Sequence, residues 1–518
     1  MNIIRYYLSI AIILLMAISP AYSASGGLDV NIGYRYMDDD GDLSLNQPTF
    51  NDYDGIGLSV ERINYMFDNG LRLRSNLRNI NLDSRNLSAD FGKPGLFNID
   101  VRSNKFRRIY NADGSNNTKR DLTHAGLWVR PIKYVKLFAN GDFNAVSGRM
   151  EDLFSTSFGV LAHEIDYTRN KYSFGANVKY QRSMIQGEYG TSDFNDNANA
   201  GKDQTRKHIR LLALTNVPKY EWLILSGAYQ RFENEYDNTG FMLKSYSFRG
   251  SLLAQLTPNL SANYIAFFNR AGSDSDFVET DNLAHNIYLT YVISHRAGLT
   301  LGYQNHVKDD YDRSVKANSF YVEGWGSPVA KLDLKAAYGF RAEDVDEGQR
   351  LVGDEDRSRM SFSAKYRLNN AGSIKAAYED KHRKNDQLDS EADYYSMSLE
   401  AAYDLPRYAS VAAGYTYSSG DYTNTEQRFE FINHQLHVGI NSHEYKHAAC
   451  GAMLIYYRSL HGLNTEGSDL RFSGTYNFGG GNRFEIVYNV FNFDDFLYRD
   501  HYYTGNIVEI NLIKSFKF

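Results

Sequence analysis

The stretch Lys331-Leu332-Asp333-Leu334-Lys335-Ala336-Ala337-Tyr338-Gly339-Phe340-Arg341 decides the fold class. Leu332, Leu334, Ala336, Tyr338 and Phe340 alternate with Lys331, Asp333, Lys335, Ala337, Gly339 and Arg341. A two-residue period puts the two sets on opposite faces of a strand, whereas a helix scatters them around its axis. The same beat returns where Met360, Phe362, Ala364, Tyr366 and Leu368 alternate with Arg359, Ser361, Ser363, Lys365 and Arg367. It returns again where Leu470, Phe472, Tyr476 and Phe478 alternate with Arg471, Ser473, Thr475 and Asn477. Such segments run about 10 to 14 residues, against about 5–6 for a soluble strand. They match the ~9–11 residues with which a tilted strand crosses a bilayer.

Composition agrees. A chain of 518 residues suggests several soluble domains by length alone. Yet it holds 41 Tyr and 30 Phe with only 8 Pro, and its 14% aromatic content favours strands. The formal net charge of −6 leaves no basic footprint for nucleic acid. The single cysteine, Cys450, excludes an internal disulfide, a Cys-pair zinc site and a covalent c-type haem, which needs Cys-x-x-Cys-His. Among Ala448, Ala449 and Gly451 it reads as an inert strand residue.

The first 23 residues read as targeting. Arg5 precedes the apolar run Leu8–Ile18, Pro20 breaks it, and Ala21 and Ser23 supply the small residues of a cleavage site. Residues 1–23 are therefore expected to be a cleaved signal peptide and 24–518 a single domain. No later run reaches the ~18 consecutive apolar residues of a membrane-spanning helix. Short turns are expected at Phe67–Gly70, Arg130–Lys133, Val217–Tyr220, Thr257–Leu260, Ser327–Ala330, Leu368–Ala371, Asp404–Arg407 and Gly479–Asn482. Long polar loops are expected between them, at Asp38–Asp54, Asn111–Arg120, Ser192–Gln204, Ala342–Asp356, Arg383–Glu391, Ser418–Glu426 and Asp494–His501. Short turns at one end and long loops at the other predict a large antiparallel transmembrane β-barrel in the outer membrane, its loops extracellular. Pairing each turn with its flanks, including an upward strand from near Lys171, gives about 26 strands, or roughly 24 to 28.

In the last segment Val508, Ile510, Leu512, Phe516 and Phe518 share one face and Glu509, Asn511, Ser515 and Lys517 the other. An alternating strand ending on Phe is similar to the C-terminal signal read by the barrel-assembly machinery, with Leu512, Phe516 and Phe518 as its apolar positions. Lys514 breaks the apolar face near the expected periplasmic rim, where a long side chain can snorkel.

The count has a consequence. Barrels of ~16–18 strands already enclose an aqueous channel, and ~22-stranded barrels are plugged. Strand periodicity here starts near Gly27 and leaves no stretch for an N-terminal plug of the kind TonB-dependent transporters carry. The plug is therefore expected to be another protein. A leader followed at once by about 26 Tyr-rich strands, Pro-containing periplasmic turns and a terminal Phe resembles the MtrB/PioB-type outer-membrane β-barrels of porin–cytochrome electron conduits. That resemblance covers essentially the whole chain after the leader, and it is architectural. It implies a porin-like sheath housing a periplasmic multihaem c-type cytochrome, with an outer-surface one as a further partner, for electron transfer across the outer membrane. Haem then belongs to the partners, and no cofactor is expected in this chain. Many members carry an N-terminal Cys-x-x-Cys that is absent here. The alternative is a general or substrate-specific porin for small solutes.

The polar faces supply the lumen candidates: Lys331, Asp333, Lys335, Arg341, Arg359, Lys365, Arg367 and Arg471. They either pair with an inserted protein or line water. Asp38–Asp42 fails the register of a calcium loop, since position twelve falls on Gln47. Asp309, Asp310, Asp312, Glu343–Glu347 and Asp354–Asp356 read as acidic loop residues. His285, His295, His434, His437, His443, His447 and His461 share no ligand spacing, and His163, Asp166 and Ser157 lack a nucleophile elbow. No catalytic residue or metal site is expected, and the chain does not read as an enzyme. Tyr36, Phe268, Tyr338, Tyr415, Tyr417, Tyr502 and Tyr503 fit aromatic girdles.

Overall fold

The computed structural model describes residues 25–517 apart from 46–50, 52, 152–161, 218, 275–278, 311–312, 347–354, 370, 387, 463 and 498–500. Residues 1–23 and Phe518 lie outside the described residues. The rest is one 26-stranded antiparallel sheet. Each strand pairs with its sequence neighbours, and β1 (Ser25–Gly41) closes the cylinder against β26 (Tyr502–Lys517). That seam runs through fifteen residue pairs, from Gly27 opposite Lys517 to Gly41 opposite Tyr503. Closure is what lipid demands, because an open sheet edge leaves peptide groups that hydrocarbon cannot hydrogen-bond. From a strand spacing of about 4.8 Å and a tilt near 40°, 26 strands enclose a cylinder about 50 Å across between backbones.

The expected strand number is met, but several boundaries move. Many strands run 14 to 17 residues, which at ~3.3 Å per residue and that tilt overshoots the ~25 Å apolar band by several residues. The overshoot is at the loop end, where polar strand is hard to tell from polar loop. Asp38–Asp40 belong to β1 and pair with Thr504–Asn506. Asp309 and Asp310 close β15 (Ala297–Asp310), where Lys308 Nζ lies 2.5 Å from Asp310. Glu343 lies within β17 (Leu332–Asp346) and Glu355 opens β18 (Glu355–Asn369). Asp312, Glu347 and Asp354 lie outside the described residues. No strand begins at Lys171: β8 runs unbroken from Ala162 to Tyr180 and β9 (Ser183–Asp196) follows a two-residue turn. That turn has no Gly, Pro or Asn. Gln181 takes the left-handed conformation at φ 50° instead, which costs a side chain more than glycine.

Alternation survives in three dimensions as an apolar outside and a polar inside. Ile32, Tyr34, Leu512, Phe516, Tyr338 and Phe362 lie exposed on the face that must meet lipid. Tyr503 departs from the expected girdle. It is wholly buried, packed against Gly505, where an added Cβ would fall 2.5 Å from its hydroxyl. Lys514 stays on the lipid face and donates to the carbonyl of turn residue Gly480 at 2.9 Å, so its charge reaches the periplasmic rim.

One irregularity interrupts the wall. β3 (Arg72–Arg78) and β4 (Asn86–Lys93) are only 7 and 8 residues long. The chain between them fills the notch their shortness leaves beside β2 (Gly55–Met66). Asn81 there substitutes for a strand, accepting from Leu58 N at 2.9 Å and donating to Ile56 O at 2.7 Å. Asp83 ties the segment to β5 (Phe97–Ile109) and β6 (Asn117–Ile132), with Lys105 Nζ at 2.5 Å and Lys119 Nζ at 3.0 Å. The hydrogen bond from Lys105, joined by that from Lys119, outweighs partial burial and brings the Asp83 carboxyl down to about 2. A depressed carboxyl stabilises the folded form above its unfolded value of about 3.9 and loses that contribution as the pH falls through the folded value. Amide protection over 79–85 should therefore fall between about pH 4 and pH 2, and Asp83→Asn should abolish that dependence, as read by hydrogen exchange.

Candidate functional site: the lumen wall

Where strands alternate in register, their inward side chains form rows across the sheet. Asp333, Lys335, Arg341 and Glu343 on β17 meet Lys365, Ser363, Arg357 and Glu355 on β18. On β19 (Gly372–Asn385) these continue into Lys375, Ala377, Arg383 and Asn385. Arg359 and Lys381 form a further row, as do Arg367 and Ser373. Six of the eight lumen candidates, Asp333, Lys335, Arg341, Arg359, Lys365 and Arg367, thus lie on one face of two adjacent strands. Lys331 sits in the turn before β17, where its ammonium donates to Leu368 O at 3.2 Å. Arg471 is on β24 (Thr465–Gly479), beside a trough of about 840 Å³ shared with Lys365, Arg367, His437, Met453 and Ser473. It also borders a polar trough of about 540 Å³ at the seam. In that trough Arg35 contacts Glu509 at 2.5 Å, Arg78 contacts Glu61 at 3.1 Å and Arg62 pairs with Asp29.

The pairs on β17–β19 have a consistent geometry. Glu355 lies flat on the wall with 2% of its side chain exposed, between Arg357 and the Arg383 guanidinium at 2.5 Å. Glu379 is bridged by Arg359 at 2.5 Å and Lys381 at 3.0 Å. Glu343 holds Arg341 at 2.9 Å, and Asp333 holds Arg367 at 2.5 Å. Lys335 reaches Glu323 at 2.9 Å on β16 (Arg313–Val329), a carboxylate that also accepts from Tyr321. Lys375 reaches Glu400 at 3.4 Å on β20 (Ser390–Leu405). Carboxylates are the inner layer and cations the outer one: Arg359 and Arg383 expose 65% and 58% of their side chains.

The physical reason is length. A carboxylate on a short stem stays at the wall, while Arg and Lys lay their methylenes along it and carry the charge into water. Reading single strands finds the candidates on β17 and β18 but misses Arg357, Glu379, Lys381 and Arg383. Their signal is cross-strand register, which one strand's periodicity does not contain. Arg383 and Glu355 sit where polarity alone reads as loop.

Other chemistry-bearing side chains are spent locally. His285 is hydrogen-bonded to Tyr264, His434 to Tyr415 and His443 to Asp404, each at 2.7 Å. The described residues bring one trio of possible metal ligands together, His382, Glu391 and Asp393. It lies at the extracellular end on the outer face, and its His382 Nδ1 to Asp393 distance of 2.7 Å is that of an ordinary hydrogen bond.

No protein family matches this sequence, and no curated protein does. Solved structures do match the fold. The siderophore receptor PirA from Pseudomonas aeruginosa aligns at TM-score 0.52 and 11% identity, over 81% of this chain and 80% of that one. The copper transporter OprC aligns at TM-score 0.50 and 10% identity, over 96% and 81%. The ferric enterobactin receptor PfeA from Pseudomonas aeruginosa aligns at TM-score 0.52 and 10% identity, over 81% of each chain. Identity this low establishes the architecture alone. The chain is a large outer-membrane β-barrel.

Removing Glu355 should loosen β18 against β19 more than removing an outer cation. Glu355→Gln strips two guanidinium groups of their shared, buried acceptor and should cost about 1–3 kcal/mol. Arg359→Gln, at a solvated head, should cost under about 1 kcal/mol. Urea unfolding of the two variants in lipid vesicles compares them.

Proposed function

We propose that this chain is a porin-like sheath that carries a multihaem c-type cytochrome through the outer membrane, so that electrons cross on the partner's haems. The observation that carries this reading is the combination of width and emptiness. Among the described residues, everything outside the 26 strands is turn, connecting loop or one of two three-residue 3-10 helices, Leu43–Leu45 and Ala200–Lys202. With side chains the cylinder keeps about 40 Å of clear width. A compact domain of about 100 residues, with a radius of gyration near 13 Å, is about 34 Å across. The lumen is therefore on the scale of a small folded protein and far beyond that of a small solute. A vacant pore of that size would equilibrate the periplasm with the exterior, which an outer membrane cannot tolerate.

This chain's share of the work is solvation. A water-soluble cytochrome exposes polar groups that hydrocarbon cannot satisfy. The barrel turns Tyr338, Phe362 and Leu512 to lipid and Lys335, Arg359 and Arg367 to the occupant. Haem chemistry is supplied wholly by the partner, since Cys450 alone cannot attach one.

A second reading, a porin or substrate-specific channel with inward-folded loops, draws on the same exposed cations, which would then line water. The two separate on extraction. Mild detergent should release the sheath with a haem protein attached, seen as a Soret band eluting with the barrel and as a second chain by mass spectrometry. A barrel that elutes colourless from cells expressing c-type cytochromes would exclude the sheath and leave the channel.

A further inference from the structure

We infer that the inward wall of β17–β19 is a cationic docking surface, and that the occupant it receives presents an acidic protein face. The inference rests on the sheath reading and specifies the sign of the partner's surface.

Three observations carry it. The first is number. On the inward faces of these three strands stand nine cations, Lys335, Arg341, Arg357, Arg359, Lys365, Arg367, Lys375, Lys381 and Arg383, against four carboxylates, Asp333, Glu343, Glu355 and Glu379. Glu323 and Glu400, which pair with Lys335 and Lys375 from the flanking strands, bring the patch from +5 to +3, in a chain whose formal net charge is −6. The second is layering. The carboxylates are the sheltered partners, Glu355 at 2% and Glu379 at 21% exposure, while the cations that cover them project into the lumen. An approaching surface therefore meets guanidinium and ammonium groups first. Lys365 makes no ion pair among the described residues and stands across from Lys375.

The third observation is shape. From Arg367 near the periplasmic turn to Arg357 near the extracellular end the wall runs ten residues of β18, about 33 Å at 3.3 Å per residue. Three strands make it about 10 Å wide. A small anion is recognised by groups converging in a concavity that encloses it. Here the charges are spread along the wall of a cylinder about 50 Å wide, so they complement an extended surface. Opposite potentials across such an area steer encounter and fix orientation more than they add affinity.

The test uses the haem protein that co-purifies with the full-length barrel. The triple charge reversal Arg359→Glu, Arg367→Glu and Lys375→Glu should lower the haem retained per barrel by about tenfold or more. The neutral set Arg359→Gln, Arg367→Gln and Lys375→Gln should give an intermediate loss. Heat-modifiable mobility on gels reports that each variant has closed, so that misfolding is not read as lost binding. Raising NaCl from about 0.05 to about 0.5 M should release the occupant of the wild-type barrel sooner than screening of neutral contacts would allow.

Stripped of its occupant and placed in a planar bilayer under a KCl gradient, the wild-type barrel should favour chloride over potassium, and the reversed triple variant should not. Equal haem retention in wild type and reversed variant overturns the acidic face while leaving the sheath intact. Potassium selectivity of the stripped wild-type barrel overturns the cationic wall itself. Chloride selectivity with no protein occupant in any preparation overturns both the sheath and the protein partner, and assigns the wall to small anions.

Discussion

A peptide group in hydrocarbon has no water to bond, so every backbone N–H and C=O between the leaflets must find its partner within the protein wall. The rest of this structure follows from that requirement. A sheet meets it only by closing, and closure falls to the first and last strands, whose fifteen pairs join Gly27 to Lys517 and Gly41 to Tyr503. Antiparallel order with neighbours joined in sequence is the cheapest route to closure, since every connection is then a hairpin. Where hairpins fall short, as with β3 and β4, the deficit is made up side chain by side chain. Asn81 presents an amide to β2 where a strand is missing, and Asp83 clamps the patch with two lysines.

Closure also decides where charge can go. A strand has two faces, and the outer one is pledged to lipid over the apolar band. Ionised side chains within that band are therefore gathered on the inside, where register stacks them into rows. Packing like charges in rows is unfavourable unless counter-ions alternate with them. Glu355 between Arg357 and Arg383, and Glu379 between Arg359 and Lys381, relieve the repulsion from beneath. The carboxylates hold the cations in place without cancelling their number, and the lumen stays positive while the wall stays stable.

The strands, their count and the two-faced wall were legible in the sequence because a two-residue period is a local property that tertiary context rarely overrides in lipid. Met360, Phe362 and Ala364 cannot share a face in any other regular structure. Boundaries were less legible, for reasons visible in particular residues. Glu355 and Arg383 are polar strand beyond the membrane, and nothing in composition separates that from loop. The β8–β9 turn hides because Gln181 adopts a conformation usually left to Gly or Asn. Tyr503 is aromatic and terminal, like a girdle residue, yet it turns inward and is buried. At the site, individual charges were found and their partners were not, because a pair such as Arg359 with Glu379 spans two strands twenty positions apart. Register is a fact about neighbours, and one strand's pattern is silent on it.

The sign of the wall has a further logic once the outer face is considered. On the same three strands, above the apolar band, the outward positions are mainly acidic: Asp344, Asp356 and Asp380, with Lys384 as the cation among them. Alternation thus gathers the bases of these strands inward, while their acids stand on both faces. The net charge of the whole chain conceals this, since it is −6 although the inner face of these three strands alone carries five cations in excess of its carboxylates. A barrel needing only solubility would gain nothing from such sorting, because mixed charge on each face hydrates as well at less electrostatic cost. Segregation does add a field directed into the lumen, concentrated where water is confined and screening is weakest. A surface that bears the opposite sign is drawn to that wall.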